Sequence, residues 1–96
     1  MTYYDVGLGA CGWTNTDSES VVALPFEFMG TESNGNPYCG RMITITADAS
    51  GKSTTAKVVD KCMGCGGYNI DLSPTAFSAL ADESVGRTGC KWYFSD

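Results

Sequence analysis

Residues Met42 to Ala47, MITITA, alternate without a break: Ile43 and Ile45 fall on one face, Thr44 and Thr46 on the other. A period of two is the pattern of a half-buried strand. Thr54 to Asp60 alternates likewise, with Ala56 and Val58 opposed to Lys57 and Val59. DASGKS between the two runs holds the glycine that a tight turn wants, so the strands are expected to pair antiparallel. Thr2 to Asp5 reads as a first strand from its aromatic content, and Val21 to Leu24 as a second, stopped by Pro25. Ile70 to Leu72 is a short apolar strand interrupted by Asp71, and CKWYFS closes the chain as another. Ser73-Pro74 supplies an N-cap and a first helical proline, and Ala76, Phe77 and Leu80 follow at helical spacing, predicting one short helix to about Asp82. GLGACGWTNTDSES and GTESNGNPYCG read as long loops, the latter with Asn34-Gly35 and Asn36-Pro37 as turn signals. Short strands, long loops and one small helix argue for a compact, disulfide-braced β-barrel. No internal repeat or low-complexity tract is visible.

Composition narrows what such a barrel does. With 96 residues, 43% of them apolar, the chain suffices for one domain around one small core. No apolar run approaches the roughly 20 residues that cross a bilayer, so a soluble protein without membrane contact is expected. No leader separates Met1 from the strand-like TYYDV, so Met1 is expected to stand directly ahead of a mature segment. The net charge is −5 and the six basic residues are scattered, which excludes the basic face of a nucleic-acid binder. That charge also repels polyanions and anionic membranes, whereas neutral polymers meet no such barrier. Histidine is absent, which removes Ser-His-Asp and Cys-His machinery and the common zinc-finger ligand sets. Any chemistry must come from carboxylates, tyrosines and backbone.

The stretch VVDKCMGCGGYNIDLSPTAF concentrates what remains. Its CxxC pair, Cys62 and Cys65, stands alone, since Cys11, Cys39 and Cys90 are isolated. A four-cysteine zinc site usually shows two such pairs. A thioredoxin-type motif opens a helix, whose dipole lowers the thiol pKa, but Gly66-Gly67 follow here. Disulfides formed in an oxidising compartment are therefore the favoured reading, with no metal and no cofactor.

TYYDVGLGACGW, CGRMITIT and VVDKCMGCGGYNIDLSPTAFSALAD, in that order, resemble the expansin-related double-psi β-barrels, with the closest look to the fungal single-domain loosenins. The resemblance covers essentially the whole chain. It implies a mainly β fold, a six-stranded double-psi β-barrel with one short helix, as a single domain over 1–96 without a second, carbohydrate-binding domain. It also implies a secreted monomer that binds cellulose, chitin or a related glucan and loosens it without hydrolysis. Asp71 in IDLS matches the aspartate required in expansins, which is the general acid of the related endoglucanases. Asp60 in VVDKC matches the second groove aspartate, and Thr2 the threonine of the first strand. Where bacterial expansins place a tyrosine two positions after the groove aspartate this chain has Cys62; Tyr68 offers a hydroxyl nearby. Asp5 is a departure. A YYD or YWD segment carries the catalytic base in the endoglucanases, whereas expansins generally lack a carboxylate there. An inverting glycosidase sets its two carboxyls roughly 6.5–9.5 Å apart.

Each candidate has a structural alternative. Asp71 stands where a negative charge suits a helix N-terminus, and Asp60 is placed to cap its strand on N–H groups of the CxxC turn. Thr2, Tyr4, Asp5, Trp13 and Tyr68 form the expected substrate-binding set around Asp71 and Asp60. Trp13, in a glycine-rich loop, is the surface aromatic of choice. Trp92 or Tyr93, one of Tyr3 and Tyr4, and Met29, Met42 and Met63 are assigned to packing. Cys11–Cys39 is expected to tie the two long loops and Cys62–Cys65 to close a local turn, leaving Cys90 as a free thiol or for an intermolecular bridge, although connectivity is not deducible from sequence. Two rival functions stand on the same barrel: an endoglucanase or peptidoglycan lytic enzyme with Asp71 as acid, and a papain-type cysteine protease inhibitor acting through its loops.

Overall fold

The computed structural model describes residues 1–29 and 36–95, the side chains of residues 27 and 28 aside; Asn34-Gly35 lies outside them. Six strands follow in chain order: β1 (Thr2–Tyr3), β2 (Val21–Pro25), β3 (Met42–Ala47), β4 (Ser53–Cys62), β5 (Asp71–Leu72) and β6 (Cys90–Phe94). They form one sheet in the order β1-β5-β2-β4-β3-β6. Pairing is parallel for β1 with β5 and for β2 with β4, and antiparallel elsewhere. Met1 and Thr88, just ahead of the two outermost strands, exchange backbone hydrogen bonds of 2.7 and 3.1 Å, so the sheet curls until its edges meet.

The hairpin expected of β3 and β4 is present, closed by Ala47 N–H donating to Lys52 O, with Gly51 at φ +70°. Ile43, Ile45 and Ala47 point inward, and Ala56 and Val58 meet them from β4. Leu24, Val22, Ile70, Leu72, Phe77 and Leu80 complete the core. Ser73 caps α2 (Pro74–Ser78): its hydroxyl accepts from Ala76 N–H at 3.3 Å and, from across the barrel, from Val21 N–H at 3.2 Å.

Local pattern misled in four places. The helix stops at Ser78 rather than near Asp82, because Phe77 O accepts from both Leu80 and Ala81 N–H in a tight turn and Asp82 caps a separate 3-10 turn over Glu83–Val85. A short helix α1 (Phe26–Met29) follows Pro25, which itself ends β2. Met63 is not a packing residue: it projects from the disulfide-closed turn and is 69% exposed.

The fourth difference shapes the site. Val59 was placed on the outer face with Lys57, yet it is buried. Along β2, Val22 pairs with Val58 but Ala23 pairs with Asp60, so Val59 is the extra residue of a β-bulge. The bulge shifts the parity of the strand. Simple alternation would aim Asp60 inward with Ala56 and Val58; the bulge sends it to the opposite face.

Candidate functional site

Four residues line up across four neighbouring strands: Thr2 on β1, Asp71 on β5, Ala23 on β2 and Asp60 on β4. Residues in register on adjacent strands share a face. Val22, one position from Ala23, pairs with the core residues Leu72 and Val58, so the row lies on the outer side of the barrel. Ala23 is the small floor between two carboxylates. Two strand spacings, about 9.5–10 Å, separate the Asp60 and Asp71 backbones.

Thr2 Oγ donates to Asp71 Oδ1 at 2.7 Å. Partial burial pushes the Asp71 carboxyl above the ordinary value; the Thr2 bond and the Arg87 charge oppose that push, and the Asp60 charge adds to it. A small concavity of about 70 Å³ adjoins this end of the row, lined by Met1, Thr2, Gly64, Cys65, Asn69, Ile70 and Arg87. A much larger one of about 580 Å³, between Ser50, Lys52, Leu80 and Glu83, contains no residue of the row.

Tyr4 leaves the sheet after donating its N–H to Leu72 O at 2.9 Å. Its hydroxyl oxygen is buried and has no hydrogen-bond partner among the described residues. Burial first, and then the charges of Asp60, Asp71 and Asp17, raise its pKa far above the ordinary phenol value. Burial and these negative charges thus favour the protonated phenol over the phenolate. Asp17 was not singled out in the sequence, where TDSES reads as an ordinary polar loop. Its Oδ1 accepts from Val6 N–H at 2.6 Å, and its backbone carbonyl accepts from the Thr75 hydroxyl at 2.8 Å, pinning the first loop to α2.

Asp60 is engaged differently. Its Oδ1 accepts from two backbone donors, Ala10 N–H at 2.7 Å and Lys61 N–H at 2.8 Å. The structural alternative foresaw bonds into the CxxC turn; the longer reach, to Ala10 in the first loop, has no local signal. Gly9 passes so close that a Cβ there would lie 2.3 Å from Val59 O. Trp13 follows in the same loop, 40% exposed, with Lys57 Nζ 4.8 Å from its ring centroid.

Asp5 and Tyr68 stand apart from the row. β1 ends at Tyr3, so Asp5 has left the sheet and is exposed. Tyr68 is 74% exposed and meets Trp92 edge-on at 6.2 Å, while Trp92 Nε1–H donates to Tyr68 O. Tyr68 and Trp92 line a separate, mostly apolar hollow with Cys90 and Lys91. The disulfides are Cys11–Cys39 and Cys62–Cys65, as expected, and Cys90 is a free, half-buried thiol whose pKa burial raises. Among the described residues no three carboxylate or thiol side chains gather in a metal-binding group.

The Barwin family profile matches residues 8–92. The chain belongs to the Barwin family. The match begins beyond Thr2, Tyr4 and Asp5, so of the row Thr2 alone lies outside it. Among curated relatives, an allergen of Aspergillus fumigatus is 46% identical over 99% of this chain and 35% of its own length. An allergen homologue of Arthroderma benhamiae is 44% identical over 98% and 37%, so the chain spans about a third of either fungal protein. A papain inhibitor of Streptomyces mobaraensis is 38% identical over 98% of this chain and 68% of the relative.

Solved structures agree on this Barwin barrel. A Streptomyces papain inhibitor superposes with a TM-score of 0.88 at 37% identity, covering all of this chain and 90% of the other. An expansin of Clavibacter michiganensis, an aspartate-to-asparagine mutant crystallised with cellohexaose, superposes with a TM-score of 0.83 at 24% identity over 99% of this chain and 48% of that one. At that identity the likeness is one of fold. The expansin-related double-psi barrel is therefore the architecture of this protein.

Proposed function

We propose that this Barwin-family protein is a secreted, expansin-like monomer that grips a neutral polysaccharide, cellulose or chitin, and loosens it without hydrolysis. The observation that carries the reading is the Thr2–Asp71 pair, a half-buried carboxyl with a raised pKa on an outer barrel face beside a small cleft. Such a carboxyl accepts hydrogen bonds when ionised and donates one when protonated, which suits a glycosidic oxygen or a neighbouring sugar hydroxyl. Asp5, the residue that would serve as base in a hydrolase, is exposed and off the row, which favours gripping over cleavage. The charge of −5 fits a neutral polymer better than an anionic one. Two disulfides fit an oxidising, extracellular setting.

The test is fibre weakening of cellulose and chitin by wild type, Asp71→Asn and Asp5→Asn, with reducing ends counted in parallel. Asp71→Asn is expected to abolish weakening, Asp5→Asn to leave it, and none to release sugar. Steady sugar release by wild type, lost in both variants, would show a glycosidase that needs both carboxyls.

A second reading, inhibition of a papain-type protease through the loops, is favoured by the papain inhibitor's likeness over nearly its whole solved chain. Papain inhibition that survives Asp71→Ala, with no effect on fibres, would select it.

A further inference from the structure

The loop ahead of β2 is built more rigidly than its glycine-rich sequence suggests. Leu8 and Thr14 form an isolated antiparallel bridge, Gly9 N–H donates to Trp13 O at 3.0 Å, and Gly12, at φ +87°, donates back to Gly9 O. This tight turn is fastened to β4 at two points. Cys11 N–H donates to Val59 O at 3.3 Å, and Ala10 N–H to Asp60 Oδ1 at 2.7 Å. The Cys11–Cys39 disulfide ties it to the neighbouring loop, where a Cβ on Gly40 would stand 3.5 Å from Trp13 Cη2. The indole packs against Gly40, and Asp60 and the disulfide fix the loop that carries it.

The ring therefore has a defined place. Lys57 and Asp60 both lie on the outer face of β4, because Lys57 pairs with Val21 and Asp60 with Ala23, two residues apart on β2. With Lys57 Nζ at its ring, Trp13 stands on the Asp60 side of the row, opposite Thr2. A pyranose ring presents a face of C–H groups edged by hydroxyls; Lys57 Nζ lies over one face of the indole, so a stacked sugar would take the opposite face of the ring. A side chain already immobilised also loses little freedom on binding.

We infer that Trp13 is a platform for one pyranose residue of the polymer and that Asp60 is the positioning residue that holds it, acting through Ala10 rather than on the sugar. The inference rests on the polysaccharide reading above. It gives Asp60 a role unlike that of Asp71: Asp71 meets the chain, Asp60 braces the loop.

The two bonds of Asp60 share one oxygen, which makes the assignment sharply testable. Asp60→Asn keeps an acceptor at Oδ1 and loses the charge; Asp60→Ala loses both. Titration with cellohexaose and chitohexaose should show Trp13→Ala weaker by roughly 3- to 10-fold. Asp60→Ala should match it, Asp60→Asn should stay close to wild type, and the double variant Trp13→Ala/Asp60→Ala should be no weaker than Trp13→Ala alone. Asp60→Asn as weak as Asp60→Ala, or additive losses in the double variant, would overturn the inference. A readout without ligand tests the brace separately. The protein has two tryptophans, so the indole N–H resonance of Trp13 is assigned with Trp13→Phe. It should shift in Asp60→Ala and hold in Asp60→Asn; an unmoved signal in Asp60→Ala refutes the brace. Where Asp60→Ala does not fold, Asp60→Ser takes its place, its hydroxyl being too short to keep the Ala10 bond. If wild type binds neither hexaose, the platform falls with the polysaccharide reading, and the resonance still decides what Asp60 does.

Discussion

The two disulfides close loops of very different length, and their contributions to stability should differ accordingly. Cys11–Cys39 spans 28 positions and Cys62–Cys65 only three. Restricting the unfolded chain by a loop of the first size is worth about 3.6 kcal/mol at 25 °C, and by one of the second about 1.6 kcal/mol. For a domain of this size, each kcal/mol moves the melting temperature by roughly 4–8 °C. Cys11→Ala/Cys39→Ala should therefore melt about 14–29 °C below wild type, and Cys62→Ala/Cys65→Ala about 6–13 °C below. Alanine is the right replacement, because Cys11 is buried and a serine there would bring an added polar cost. The assay is reversible thermal unfolding followed by circular dichroism, with Cys90→Ala in every background to prevent thiol exchange. Equal losses for the two pairs, or a greater one for the short loop, would refute the unfolded-state argument. The brace at Asp60 and Ala10 would then be holding the first loop without help from the long disulfide.

Two further outcomes follow from single sites. Because Asp71 has a raised pKa in the folded state, its ionised form is held less well there than in the unfolded chain. The resulting penalty is absent below the ordinary value of 3.8 and builds as pH rises through the higher folded pKa, so Asp71→Asn should melt above wild type near neutral pH and lose that advantage in acid. An advantage that grew on acidification would contradict the assignment. Gly9→Ala should cost about 1–3 kcal/mol, since its methyl would collide with the backbone oxygen of Val59 at 2.3 Å; an unchanged urea midpoint would show that the loop yields freely.

Periodicity and turn chemistry in the sequence determined the elements. Ile43 and Ile45 alternate with threonines and duly face the core, Ser73-Pro74 starts its helix, and Gly51 closes its hairpin. These signals are local: each depends on a few neighbouring residues and the period of one element. The resemblance of VVDKC and IDLS to expansin motifs likewise marked both aspartates before any geometry was available. What each aspartate touches was a tertiary matter. Thr2 and Asp71, 69 positions apart, are neighbours only because β1 pairs parallel with β5. Asp60 reaches Ala10 across 50 positions. Its face was set against its own strand's alternation, since the Val59 bulge exists only in relation to the register of β2. A bulge is a property of two strands, so no reading of one strand's pattern contains it. Asp17 was missed and Asp5 left undecided for the same reason. A loop carboxylate has no period to betray its direction, and only the packing of the first loop against β4 and α2 decides whether it faces the row or the solvent.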